Sequence, residues 1–541
     1  MKPISCLTTS VSVLALAAVA SFSASAIAHP IFLPHKAGIH VAPVMQLNHV
    51  AALDDHYVAP KGAKSGTWTD VAGTLPFTSG PWGEMLLTDG TVIVEDYCTN
   101  PTQWYRLTPD KKGQYTSGTW SKIATMPSGY SPLFSAQQVL TDGRVVIQGG
   151  EYNNCSDSWT TQGAMYDPSK NTWSTITPPS GWTTIGDAES IVLPNGTYMV
   201  ANCCDSPGQD GQASISGTTF TWTIVNGNAC GGEPCNDEEP FAALPTGNKN
   251  GQVLQVDVWD HTSSSDETWL FSTSTNKWTQ GPNTSCYMSD ASSFELGPTA
   301  STPNGYVITY GDNPTCNSIY NIKTNTFANG PNFGSGYDAA DAPAATLPDG
   351  NVLVQVSPGV FGTPSAFFET KISKKGKATL TKVNAPKQAS GTSSFESNLL
   401  VLPTGQVLWD DSQNTPEVAA YTPVGKPKAA WLPVVSSVSN SLNTGSTGNA
   451  ISGTQFNGFS LGGVYGDDAQ AATNFPIVRF TNSSTGDVCY AKSYSFSTMG
   501  VNTQGTTTAV FDIPSSCEKG ASKLQVVVNG IASTGTSVTL N

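Results

Sequence analysis

Two groups of side chains in this sequence have the types and spacing to do chemistry. Five histidines, His29, His35, His40, His49 and His56, crowd one stretch among Pro, Ala and Lys. Neutral imidazole suits copper or zinc, and a histidine at a newly exposed N-terminus offers amine and ring together as a chelate. The blander reading, which we take as the expectation, is an unfolded leader, because termini stay disordered unless tied down. The second group is acidic: Glu84, Asp187, Glu239, Asp290, Asp341 and Glu396 recur where the chain enters successive apolar runs. Carboxylates crowded around a narrow opening raise one another's pKa or attract a cation. Such a set would suit calcium, a cationic or polyol ligand, or acid-base work on a glycosidic bond. As solvated strand-end acids they would contribute solubility alone.

After residue 56 the only histidine is His261. No two-histidine metal site and no His-dependent triad can be assembled in the rest of the chain except around it. Following Trp259 and Asp260 at the start of a Ser-rich stretch, it reads as a solvated loop residue. Ten cysteines follow the first 28 residues: Cys98, Cys155, Cys203, Cys204, Cys230, Cys235, Cys286, Cys316, Cys489 and Cys517. An even count in an exported chain argues for disulfides, and the spacing lacks the paired CxxC units of a zinc site. The expected pairs are Cys98 with Cys155, Cys286 with Cys316, and Cys489 with Cys517. Cys203 and Cys204 would either bridge each other or reach Cys230 and Cys235 separately, and the second is the simpler arrangement.

The elements that position these groups are β-strands. Only 12% of the 541 residues are charged and 52 are Gly, a composition that points to many short strands joined by turns. A net charge of −15 leaves no basic field for phosphates, so nucleic acid and anionic membranes are poor partners and neither is expected. Residues 1–28 carry Lys2, an apolar stretch from Val11 to Ala20 and small residues up to Ala28, the pattern of a secretory signal. No later apolar run is long enough to span a bilayer. The expected product is a secreted protein with the His-rich leader over residues 29–62. Its oligomeric state has no signature in the sequence.

An apolar run, a turn pair and an alternating β-branched run recur together. The turn pairs are Asp89-Gly90, Asp142-Gly143, Asn195-Gly196, Asn250-Gly251, Asn304-Gly305, Asp349-Gly350 and Thr404-Gly405, spaced by 53, 53, 55, 54, 45 and 55 residues. A second mark lies seven positions apart in Tyr166 and Trp173, Ile215 and Trp222, Phe271 and Trp278, and Tyr320 and Phe327. Tyr105 and Trp120 read as the same pair with an insertion. Seven units of this size, each long enough for four strands, predict an all-β chain with a seven-bladed β-propeller over residues 63–430. The Gly66-Thr67-Trp68 segment is expected to close the ring by joining the seventh blade, which removes an exposed sheet edge. From residue 431 to 541 the period stops, and strands near Ile477–Thr481, Thr508–Ile513 and Lys523–Val528 predict a small β-sandwich.

The blades, with the diglycine Gly149-Gly150 after the second hairpin, resemble kelch repeats over roughly residues 60–428. The tail resembles the immunoglobulin-like early-set domain that follows the propeller in galactose oxidase-like proteins. That resemblance implies a copper ion held by two tyrosines and two histidines, one tyrosine being cross-linked to a cysteine. The matched positions here carry other residues. Phe134 stands eight residues before Asp142, where the cross-linked tyrosine is expected, and Phe395-Glu396 stands for the Tyr-His pair. Thr498-Met499 stands for a Thr-His on a loop of the tail, and Gly83 beside Trp82 for the cysteine. A phenyl carbon cannot ligate, so the resemblance implies the architecture without the copper centre and with no other cofactor save the calcium that acids would suit.

The expected ligand-binding mouth therefore comprises Trp82, Glu84, Phe134, Asp187, Glu239, Asp290, Asp341, Phe395, Glu396 and Met499. The expected function is non-catalytic binding of carbohydrate or another extracellular polymer, with exposed Trp and Tyr of the loops stacking on sugar rings. The alternative is a carbohydrate-active enzyme, either a copper oxidase with displaced ligands or a hydrolase or lyase using the acidic residues.

Overall fold

The turn pairs fold as the sequence demands, because only glycine enters the left-handed region freely. Their seven glycines have φ between +77° and +155°. In six of the turns the glycine N–H closes back on the carbonyl three residues earlier, as from Gly143 to Leu140 at 2.9 Å and from Gly405 to Leu402 at 2.9 Å. The computed structural model describes residues 65–203, 208–226, 236, 239–289, 296–359, 362–412, 417–465 and 472–541. The signal segment, the five leader histidines, Asp290, Cys204, Cys230 and Cys235 lie outside the described residues.

Each turn joins the first two strands of a four-stranded antiparallel meander, and seven such sheets follow one another along the chain. Their innermost strands are Pro81–Leu86, Ala136–Val139, Ser190–Val192, Ala242–Ala243, Leu296–Thr302, Ala344–Thr346 and Leu399–Val401. The inner strands of the fourth to seventh sheets touch in sequence, the seventh touches the first, and the second touches the third. Thr67–Asp70, ahead of the first sheet, is the outer strand of the seventh, with Trp68 opposite Tyr421. The last sheet is thus completed by the first strand of the chain.

Aromatic pairs hold the outer hairpins. Tyr166 lies opposite Trp173, Phe271 opposite Trp278, and Tyr320 opposite Phe327. Tyr166, Phe271 and Tyr320 are fully buried, and each such side chain contributes about 1.5–3 kcal/mol. Two of the expected pairings differ. Ile215 faces Phe220 while Trp222 faces Ala213, and Trp120 faces Leu107 rather than Tyr105. In both hairpins the turn length sets the register, and a fixed spacing does not capture it. The tryptophans also stitch sheet to sheet. Trp173 Nε1 donates to Ala124 O at 2.9 Å, Trp222 Nε1 to Thr177 O at 2.6 Å, and Trp68 Nε1 to Asn384 O at 2.6 Å. Each acceptor lies one or two residues beyond the outer strand of the preceding sheet.

The C-terminal strands form one nine-stranded hydrogen-bonded set running from Val434–Val438 to Thr536–Leu540. One short piece leaves it: Gly463–Val464 pairs antiparallel with Ala344–Ala345 on the inner strand of the sixth sheet. Disulfides join Cys98 to Cys155, Cys286 to Cys316 and Cys489 to Cys517, the three pairs read from the sequence. Among the described residues no helix is long and apolar enough to cross a membrane. The disulfides and this observation are compatible with an extracellular protein.

Candidate functional site

Within each antiparallel meander the start of the first strand and the end of the second share one edge, opposite the Gly turns. At that edge Phe134 and Phe395, two of the matched positions, and Trp82, beside the matched Gly83, gather in one buried aromatic cluster with Tyr97, Leu133, Tyr152 and Tyr465. The Trp82 ring lies 4.9 Å from that of Phe134 and 5.9 Å from that of Tyr465, both edge to face, the arrangement the ring quadrupoles favour. Phe134 reaches its place in the left-handed region at φ +49°, at a cost of about 1–2 kcal/mol for a residue of this shape. Trp82 is aimed by a register shift between Trp82 and Met85, where Gly83 takes φ +64°. A Cβ on Gly83 would meet Gln137 Nε2 at 3.1 Å. Phe395 sits in a single 3-10 turn, Ser394–Glu396, closed by a capping box in which Glu396 accepts the Ser393 N–H at 2.7 Å.

The contribution of the C-terminal unit corrects the sequence reading. Met499 is buried, but its N–H bonds Pro194 O and its carbonyl accepts Asn474 Nδ2, on the Gly-turn side of the third sheet. The residue that enters the cluster is Tyr465, carried in by Gly463–Val464, and its hydroxyl donates to Phe395 O at 2.7 Å. Which loop of the tail reaches the sheets depends on its tertiary path, and the Thr-x spacing carries no trace of it.

Carboxyls lie next to the aromatic rings, with Trp82 directly opposite Glu95 on the neighbouring strand. Glu84 is 1% exposed, and neither of its oxygens has a hydrogen-bond partner. Asp410 accepts the Asn398 N–H at 2.6 Å through one oxygen and leaves the other without a partner. Burial, and then the neighbouring Asp410, holds the Glu84 carboxyl well above the usual range. Burial likewise pushes Asp410 up to about 8 against the pull of Asn398. Glu95 is raised by burial and by Asp96 and Asp410. Burial thus biases all three acids toward the protonated form. Asp96 accepts the N–H groups of Thr78 and Ser79 at 2.9 Å.

The remaining expected residues stand at the same edge of other sheets. Asp187, Glu239 and Asp341 precede the inner strands of the third, fourth and sixth sheets, and all three are buried. The reading of these acids as solvated strand-end groups is therefore overturned for Glu84, Asp187, Glu239 and Asp341, because the neighbouring sheets close over them. Glu239 is tied to Val258 N and Gln255 Nε2 at 3.1 and 2.8 Å. Burial pushes Glu396 up to about 7. His261 is exposed in the strand Val253–Thr262 rather than in a loop, with its ring 4.6 Å from that of Tyr287. The expected exposed aromatics are also absent among the described residues, where the only large hydrophobic side chains classed as exposed are Ile224, Val424 and Val434. Trp159 and Tyr287 are half-buried in the segments that join strands at the cluster's edge of the second and fifth sheets, and Trp259 is half-buried within the strand Val253–Thr262 of the fourth.

Sequence reasoning missed Tyr97, Tyr152, Tyr465, Glu95 and Asp410. A signal was present for some of them: Val-Ile-Val-Glu-Asp and Val-Leu-Trp-Asp-Asp each end an apolar strand on two acids, which a buried strand does not tolerate without a role.

Copper does not fit this donor set. The cluster offers phenyl and indole rings and three phenols, beside carboxyls that burial biases toward the protonated form, with no imidazole. Burial and the nearby Glu151, Asp157 and Asp187 raise the Tyr152 phenol, which opposes the phenolate that a metal requires. Cys98, which packs on the cluster, is held in its disulfide. Among the described residues no three His, Cys, Asp or Glu side chains are grouped to hold a metal ion.

No family model matches the chain, and no curated protein matches it. Solved structures similar to it include a fungal alcohol oxidase of the AA5 family in complex with copper. That match has 13% identity and a TM-score of 0.47, and covers 88% of this chain and 99% of that one. Another is YjhT, at 14% identity and a TM-score of 0.35, covering 57% of this chain and 98% of that one.

Proposed function

We propose that the chain is a secreted seven-bladed, kelch-type β-propeller over residues 63–430 followed by an immunoglobulin-like β-sandwich over residues 431–541. It binds carbohydrate or another extracellular polymer at the cluster's edge and does not turn it over. Seven consecutive four-stranded meanders, the last completed by Thr67–Asp70, support the architecture. The observation that carries the function is that Phe134 and Phe395, at the positions matched to ligating side chains, pack with Trp82 in one aromatic cluster. Half-buried Trp159, Trp259 and Tyr287 supply faces on which sugar rings stack. Immobilised glycans are the direct test: saturable binding that weakens several-fold in Trp159→Ala and Trp259→Ala supports the reading, and binding indifferent to both contradicts it.

A second reading, acid-base cleavage of a glycan, rests on Glu396, whose carboxyl at about 7 borders Phe395. Glycan turnover that disappears in Glu396→Gln would establish it in place of the first.

A further inference from the structure

On the opposite side from the aromatic cluster, a cleft of about 370 Å³ opens where the Gly turns of the fifth and sixth sheets meet the linker to the C-terminal unit. Lys371 and Lys374 enter it from the outer hairpin of the sixth sheet, Lys426 and Lys428 from the linker, and Asn304 and Asn351 from the turns. The concentration of charge is out of keeping with the chain, which carries 25 Lys and Arg against 40 Asp and Glu. Among the described residues the ion pairs are Lys112 with Asp487, Arg144 with Asp142 and Lys170 with Asp167, and none of the four cleft lysines is in one.

The one carboxyl in the cleft is already engaged. Asp349 accepts the Asn351 N–H at 2.9 Å and its side-chain amide at 3.0 Å. The linker presses on it so closely that a Cβ on Gly425 would come within 1.8 Å of Asp349 Oδ2. Lys428 is fixed, its Nζ donating to Asn304 Oδ1 at 2.9 Å and lying 4.1 Å from the centre of the Trp431 ring. Burial and the charges of Lys374 and Lys371 hold its ammonium below the usual range, while Asp349 opposes them. Four cations set against a single carboxyl gain free energy when a further anion enters between them.

We propose that this cleft binds an acidic sugar unit, its carboxylate or sulfate among the lysine ammonium groups and its hydroxyls on Asn304, Asn351 and Ser373. The volume is that of a small-ligand pocket. The overall charge of −15 disfavours an extended polyanion such as nucleic acid, because only this local region attracts it. Val424 and Val434, exposed in the linker and in the first strand beyond it, are too small a patch to insert into a bilayer. The inference is independent of the reading of the aromatic cluster.

The test is calorimetric titration of the full chain with digalacturonate, with digalactose as the neutral control and anionic lipid vesicles as the competing arm. Digalacturonate is expected to bind saturably, to weaken as salt rises, and to lose about tenfold in affinity in the Lys374→Gln/Lys428→Gln double variant. Melting of the free double variant checks that it folds, and Trp159→Ala should leave this binding unchanged. Equal binding of the neutral sugar, or digalacturonate binding that survives the double substitution, overturns the proposal. Vesicle binding in the absence of digalacturonate binding overturns it in favour of a lipid surface.

Discussion

Replacing Asp410 with Asn removes a buried ionisable group while keeping its shape and the oxygen that accepts the Asn398 N–H. In the folded chain the Asp410 carboxyl keeps its proton up to about pH 8, against an ordinary value of 3.8. A raised folded pKa means that the folded state holds the proton more tightly than the unfolded one. The stabilising contribution is therefore fully present below about pH 4 and is lost as pH rises toward 8. Each pH unit inside that window weakens the fold by up to ~1.4 kcal/mol, so at pH 7 the loss is at most ~4 kcal/mol. The groups facing Asp410 do not reverse the sign: Glu84 and Glu95 are raised for the same reason of burial. Thermal and urea unfolding of wild type and Asp410→Asn across pH 4–8 reads this directly. The wild type should lose stability steadily over that range and the variant less steeply, so that the variant is relatively more stable at pH 8 than at pH 4. A difference between the two proteins that is the same at every pH, or a wild type that gains stability toward pH 8, refutes the assignment of neutral acids.

Three further outcomes follow from the geometry. Cys98→Ser opens a bridge whose ends are 57 residues apart, and chain entropy puts the loss near 4 kcal/mol, read as a lowered urea midpoint that reducing agent reproduces in the wild type. Trp173→Phe keeps the packing against Tyr166 but gives up the bond to Ala124 O, a loss of about 1 kcal/mol in chemical unfolding. Gly83→Ala meets both the positive φ and Gln137, so a destabilisation of about 1–2 kcal/mol is expected, together with altered near-ultraviolet circular dichroism from Trp82.

Much of the fold was legible because it is written in local chemistry. An Asp-Gly or Asn-Gly pair after an apolar run has few ways to fold other than a tight turn, and six such pairs with Thr404-Gly405, at a near-constant spacing, fix the meanders. The completion of the last sheet by Trp68 was legible for the same reason, since the segment carries a last-strand pattern with no turn of its own. The site was legible in part. Trp82, Phe134 and Phe395 converge as their positions relative to the turns imply, whereas Met499 does not, because Tyr465 arrives on a loop whose reach depends on pairing with Ala344–Ala345. The protonation of Glu84 and Asp410 was not legible at all. It comes from burial where the first and seventh sheets meet, and those strands lie more than three hundred residues apart in the chain. The basic cleft was hidden likewise: its lysines are divided between two segments, and only the docking of the linker on the Asp349 turn brings them together.

The central claim is that the side chains gathered around Trp82, Phe134 and Phe395 cannot hold copper. Electron paramagnetic resonance of the full chain, with His29, His35, His40, His49 and His56 replaced by alanine and one equivalent of Cu(II) added, tests this most directly. The account predicts a spectrum of free or loosely held cupric ion that buffer chelators abolish, with no organic radical on oxidation. A tightly coordinated cupric signal that survives chelation, or a tyrosyl radical that disappears in Tyr152→Phe or Tyr465→Phe, would contradict it.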